Sequence, residues 1–278
     1  MEPTSPIYRL GGYREQALPA ELARYVETAW VFSRTLTGPP IPGPGHRVLP
    51  EAAVSLAFEC VRDDEGVVRD GRVVLIGPVV RPRFFAPGPG LHLEAVRIRP
   101  EWCIDLLGTH PGEHGNAITD VRSIATRAAA DTLLDRLAQT RSSAAAIGVL
   151  VEWIGRRAAG AGAGTAALAH AALEQVRAAP GTTAEIDRVA RGLGVSARHL
   201  RWAIRERTGL GPKRYHRLVR LGRAIMAADR HGARPPWSRL ALRAGFYDQA
   251  HLIREFRALT GLTPAEAHLE RAAQRTHV

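Results

Sequence analysis

Apolar positions toward the C-terminal end of the chain recur every three or four residues, the period of a helix with one buried face. Ile186, Val189, Ala190 and Leu193 predict a leading helix, Gly194 a turn, and Ser196 a cap for the next helix. That helix buries Leu200 and Ile204 and ends at Gly209, before Pro212. The pattern then returns. Leu240, Ala241 and Ala244 predict a short helix, Gly245 a turn and Asp248 a cap. Leu252, Phe256 and Leu259 mark the inner face of a helix from about Gln249 to Leu259 that stops at Gly261, with Pro264 beyond. Thr208-Gly209-Leu210-Gly211-Pro212 and Thr260-Gly261-Leu262-Thr263-Pro264 lie 52 residues apart, and the same offset pairs Leu200 with Leu252, Ile204 with Phe256 and Ser196 with Asp248. One unit of helix, turn and capped helix is used twice. Between the copies, Tyr215, Leu218, Leu221 and Ile225 fit one face of a connecting helix over roughly residues 212 to 228.

The pattern upstream is different. Val54 to Phe58, Val73 to Ile76 and Leu91 to Ile98 read as short strands, separated by Pro- and Gly-rich turns as at Gly38 to Gly45 and Pro87 to Gly90. Residues 118 to 157 read as helical, with Leu133, Leu134, Leu137, Ile147, Leu150, Val151 and Ile154 in an interrupted apolar stripe. The expected fold class is α+β: an N-terminal β-rich, cupin-like roll with trailing helices over residues 1–157, and an all-α domain with a double helix-turn-helix over 168–278. The Gly- and Ala-rich run from Ala158 to Ala167 is the expected linker.

On pattern alone, two helical hairpins in an ordinary bundle and a helix-turn-helix that enters the DNA major groove fit equally well, and charge favours the second. The net charge of the 278 residues is +11; from residue 166 onward 20 basic residues face 9 acidic ones, so the whole excess lies in the repeat-bearing segment. That asymmetry is the footprint of a polyanionic partner. Arg198, Arg201 and Arg205 lie opposite Leu200 and Ile204, and Arg254 and Arg257 repeat the arrangement opposite Leu252 and Phe256. A charged helix face is usually only a solvated one, but here it recurs at equivalent positions of a repeat. Arg is also the side chain that pairs bidentately with guanine. All but one of the 38 basic residues are Arg, Lys213 being the exception, in both halves of the chain, so genome composition is an alternative source of that bias.

Residues 183 to 266 resemble the DNA-binding domain of AraC-type (AraC/XylS) transcription regulators. The resemblance rests on Gly194-Val195-Ser196-Ala197-Arg198-His199-Leu200, on Gly211-Pro212-Lys213-Arg214-Tyr215-His216-Arg217-Leu218-Val219-Arg220-Leu221, and on Ala244 to Phe256 with its Gly245-Phe246-Tyr247-Asp248-Gln249 turn. It implies two reading helices joined by a long helix. Arg198, Arg201 and Trp202, flanked by Arg205, would face one groove; Ala250, His251 and Arg254, flanked by Arg257, would face the next, one turn of DNA or about 34 Å away. Trp202 departs from the family, which commonly has Arg there, and Ile204 stands where Phe is common. Trp offers an N–H and an apolar face suited to a thymine methyl; packing on the Arg198 or Arg205 stem is the alternative. Arg217, Arg220 and Arg223 either reach phosphates or stay in solvent. The resemblance further implies an N-terminal sensor and dimerisation domain; Leu18 to Trp30 with Arg47-Val48-Leu49-Pro50 resembles one version of it. The expected partners are double-stranded DNA, an unidentified small-molecule effector, a second copy of the chain and RNA polymerase.

Catalysis finds no positive support. His110, Glu113 and His114 could ligate zinc, but they sit around a Pro111-Gly112 turn, and a surface loop is the expected reading. Two cysteines, Cys60 and Cys103, are too few for a cysteine zinc site and read as free thiols. No phosphate loop or nucleophile elbow occurs, so neither an enzyme nor a cofactor is expected. The alternative is an N-terminal enzyme or small-molecule-binding protein whose DNA-binding half is only autoregulatory. Residues Met1 to Pro6 lack the basic start of a secretory signal, and no apolar run approaches a membrane span, so the cytoplasm is the expected location.

Overall fold

The computed structural model describes residues 12–16, 18–34, 45–160, 164–178, 183–232 and 234–274. The expected turn at Gly38 to Gly45 lies almost entirely outside them, as do the first residues of the chain.

Among the described residues, eight strands come first: β1 (Gly12–Gln16), β2 (Val26–Ser33), β3 (His46–Val48), β4 (Val54–Arg62), β5 (Val68–Ile76), β6 (Arg83–Phe85), β7 (Leu91–Ile98) and β8 (Ile118–Asp120). Six form an antiparallel sheet in the order β1-β2-β7-β4-β5-β8, and β3 pairs with β6 in a separate ribbon. Strand β4 shows how period-2 geometry builds two layers. Val54, Leu56, Phe58 and Cys60 enter one core with Leu133, Leu137, Leu150 and Ile154 of the helices; Ala57, on the other face, joins Trp30, Phe32, Val74, Leu93 and Ala95, against which Phe85 of the ribbon packs. With both faces covered, β4 carries apolar residues on both sides, interrupted by Ser55 and Glu59.

Helix α1 (Cys103–Leu107) follows the sheet, then α2 (Arg127–Ala138) and α3 (Ser143–Gly160). The expected helical stretch from residue 118 is corrected at its start. Ile118 to Asp120 pairs with Val74 to Ile76 as an edge strand, and Thr126 caps α2 through Ala129 N–H. A buried ion pair fastens sheet to helices: Arg62 bonds both Glu94 carboxylate oxygens at 3.0 Å and the Thr140 carbonyl at 2.7 Å, and the Ser143 hydroxyl donates to Glu94 at 2.8 Å. Each charge is thereby paired and hydrogen-bonded, the condition for burying it.

The C-terminal domain comprises α4 (Gly164–Ala178), α5 (Thr183–Gly192), α6 (Ala197–Thr208), α7 (Pro212–Asp229), α8 (Trp237–Arg243), α9 (Gln249–Thr260) and α10 (Pro264–Gln274). Ala172, Leu173 and Val176 of α4 share its core with Leu200, Ile204, Tyr215, Leu218, Leu221, Leu252 and Phe256. The chemistry of the repeat is reproduced in detail. Ser196 and Asp248 accept the N–H of His199 and His251; Gly209 and Gly261 end α6 and α9 at φ +68° and +78°. Thr208 and Thr260 each donate to the carbonyl four residues back, both at 2.7 Å, and accept the N–H two residues on. A β-branched side chain at φ near +70° would be strained, so glycine follows both threonines.

Candidate nucleic-acid interface and N-terminal chamber

Amphipathic packing orients both reading helices. Leu200 and Ile204 are fully buried in α6, which turns Arg198, Arg201, Trp202 and Arg205 outward, Trp202 at 59% exposure. Leu252 and Phe256 do the same in α9, leaving Ala250, Arg254 and Arg257 exposed and His251 half-buried. The eight residues predicted from sequence therefore lie on two equivalent faces. Their neighbours differ. Arg201 reaches Asp187 of α5 at 3.0 Å, and the Trp202 ring lies 5.6 Å from that of His199. Trp202 and Arg205 also border a groove whose other wall is His110, Gly112 and Glu113 of the N-terminal domain.

Arg217 and Arg220 have partners within the domain. Arg217 Nε donates to Glu255 of α9 at 2.7 Å; Arg220 lies 3.8 Å from the same carboxylate, donates to the Gly245 carbonyl at 3.1 Å and stacks 4.8 Å above the Phe246 ring. The pair clamps α9 and its turn to the connecting helix. Nothing in the sequence pattern marked Glu255 as their partner, because the contact spans 38 residues.

The N-terminal domain holds both units from their C-terminal ends. At α6, Arg207 bonds Asp105 of α1 at 2.5 Å, His110 Nδ1 lies 3.5 Å from Glu206, and Gly209 meets Gly112 so closely that a Cβ on Gly209 would overlap the Gly112 backbone. At α9, Arg47 of β3 donates to the Thr260 carbonyl at 3.3 Å and to Glu270 at 3.3 Å. Between them lies a buried junction. Glu101, with no solvent exposure, receives Arg177 Nη2 and Nη1 of α4, the latter at 3.2 Å, and His170 Nδ1 lies 3.3 Å away; Arg177 also donates to the Tyr215 hydroxyl at 2.7 Å. Burial alone would raise the Glu101 pKa, but the His170 and Arg177 hydrogen bonds outweigh it and hold the carboxyl below its usual range.

The ribbon β3-β6 and the sheet enclose a chamber of about 190 Å³ with aromatic walls, Tyr13, Trp30, Phe32, Phe84 and Phe85. Four arginines contribute to its lining, Arg47, Arg83, Arg97 and, from the other domain, Arg271, against two carboxylate residues, Glu51 and Glu59, the former 3.3 Å from Arg97. His46 beside them is kept neutral: burial, helped by Arg271, lowers its pKa to about 4. Of these residues, Trp30 and Arg47 belong to the two segments by which the sequence resembles a sensor domain.

The sequence's other candidates do not converge. His114 is buried between the Thr109 and Thr119 hydroxyls at 2.7 and 2.9 Å, whereas His110 faces Glu206. The candidate metal trio among the described residues is Glu101, His170 and Glu174, and Arg177 and Arg99 already bind its carboxylates. Cys60 and Cys103 are buried, free thiols whose pKa burial pushes up to about 12. No described helix is long and apolar enough to cross a membrane.

Two capped helix pairs with outward cationic faces, joined by a long helix, define a DNA-binding module of the helix-turn-helix class. Residues 189–268 match the family model described as a helix-turn-helix domain. No curated protein matches the chain. Among solved structures it is similar to ToxT from Vibrio cholerae O395, at 8% identity and a TM-score of 0.43, over 87% of this chain and 96% of that one. It is likewise similar to wild-type ToxT of V. cholerae strain SCE256 bound to an unsaturated fatty acid, at 10% identity and 0.43, over 97% and 96%.

Proposed function

We propose that the chain is a sequence-specific transcription regulator in which Arg198, Arg201, Trp202, Arg205, Ala250, His251, Arg254 and Arg257 form the DNA-facing surface. The observation that carries this is the repetition of an exposed Arg-bearing face, at equivalent positions, in the segment that holds the entire net charge of +11. The N-terminal domain acts as the sensor. Its aromatic chamber, lined by four arginines against two glutamates, suits a small, apolar, anionic effector, and Arg47 connects that chamber to the Thr260 carbonyl at the end of α9. An effector that engages Arg47 or Arg271 then changes how the reading units are held, and with it promoter occupancy or contact with RNA polymerase. A second copy of the chain is the expected oligomeric partner and the cytoplasm the expected place. Catalysis is not part of the proposal.

The test is duplex binding by the full-length protein, measured by fluorescence anisotropy across a salt series on promoter fragments. Affinity falls steeply with salt, by roughly tenfold or more for several released counterions. No binding to any fragment at low salt overturns the regulator reading.

A further inference from the structure

His251 occupies the third position of the reading helix α9, where its backbone N–H is taken by the Asp248 cap at 2.6 Å. Its ring turns back toward the chain entering the helix. Nδ1 lies 3.2 Å from the backbone nitrogen of Tyr247, and the ring meets Phe246 edge-on, with centroids 5.5 Å apart at 83°. Phe246 is itself buried, beneath the Arg220 guanidinium. Cap, backbone and aromatic neighbour together fix the imidazole.

A backbone N–H only donates, so Nδ1 must be the acceptor, and the single hydrogen of the neutral ring sits on Nε2. Resting on the regulator reading above, we infer that His251 is a specificity-determining residue that presents one obligate donor, Nε2–H, to a base edge. Its match is an acceptor: purine N7, guanine O6 or thymine O4. The amino groups of cytosine N4 and adenine N6 oppose donor to donor and are rejected. Arg254 lies one turn further along the same helix, so the two residues read adjoining positions.

The experiment selects binding sites from a random duplex library with full-length wild type, His251→Leu and His251→Gln. Wild type selects against cytosine at one position beside the Arg254 position. His251→Leu loses that selection, by roughly tenfold, and leaves the remaining positions intact. His251→Gln keeps much of it, because its amide oxygen can take the Tyr247 N–H while its NH2 donates outward. Wild type is then measured on DNA whose acceptor at that position is deleted, 7-deazaadenine for adenine, 7-deazaguanine and 2-aminopurine in turn for guanine, or 5-methylpyrimidin-2-one for thymine; a loss of roughly tenfold with at least one is expected, an arm independent of any variant's folding. Identical selections by all three proteins, with no effect of the deleted acceptor, overturn the inference while leaving the regulator reading intact. A purely structural His251 would instead lower the melting temperature of His251→Leu without changing the selected sequence. Failure of wild type to select any sequence sinks the regulator reading itself.

Discussion

Removing the Arg217 side chain separates a helix clamp from a phosphate contact. Arg217 and Glu255 are partly buried, at 29% and 23% side-chain exposure, with Nε and Oε2 2.7 Å apart, and Arg220 supports the same carboxylate at 3.8 Å. Two unit charges about 4 Å apart attract by about 4 kcal/mol at the effective dielectric near a protein surface. Desolvation and side-chain ordering consume most of that, and Arg220 remains to hold Glu255, so Arg217→Ala should cost about 1 kcal/mol of stability. For a domain of this size that lowers the melting temperature by about 4 °C. DNA binding should weaken modestly on specific and random duplexes alike through loosening of α9, with an unchanged slope of log K against log salt. Arg254→Ala is the contrast. Its side chain is exposed, so stability should hold, while specific binding falls by about 1–3 kcal/mol and random-duplex binding changes little. Calorimetry and anisotropy over a salt series measure both variants. A salt slope reduced by about one for Arg217→Ala, with no change in melting temperature, would show that Arg217 contacts phosphate and that the Glu255 pair is energetically idle.

Two further outcomes test the interdomain framework. Glu101→Gln should cost about 1–3 kcal/mol at neutral pH, because Arg177 loses its buried carboxylate partner and keeps only Glu174. Since the folded-state pKa of Glu101 is depressed, its stabilisation is complete above the unfolded value of 4.5 and is lost as pH falls through the folded value; denaturant midpoints of wild type and variant should converge in acid, and a constant gap down to pH 3 would contradict the assignment. Gly209→Ala meets both a φ of +68° and the Gly112 backbone, so the first reading unit should separate from the N-terminal domain, seen as faster protease cleavage between the domains; Gly194→Ala, also at positive φ but in open space, should cost stability without that cleavage, and equal cleavage of the two variants would refute the contact's role.

The C-terminal domain was legible because its determinants are local. A helix closes its hydrogen bonds four residues away, so Ser196, Asp248, Gly209 and Gly261 can announce where α6 and α9 begin and end, and an amphipathic face follows from spacing alone. The β-rich half was legible only in part. Strands take their partners from distant segments, so β1, β2, β3, β6 and β8 left no local mark, and Ile118 to Asp120 passed for the start of a helix until pairing with β5 made it an edge strand. Tertiary structure alone decided which charges are available to a ligand. Sequence placed Arg217 and Arg254 alike on basic helices, yet folding brings Glu255 to Arg217 and leaves Arg254 exposed. The same packing carries Arg271 from the last helix to the wall of a chamber built by the other domain. Covalent order determines the period of a helix and its caps; only the packed chain determines which side chains meet across it.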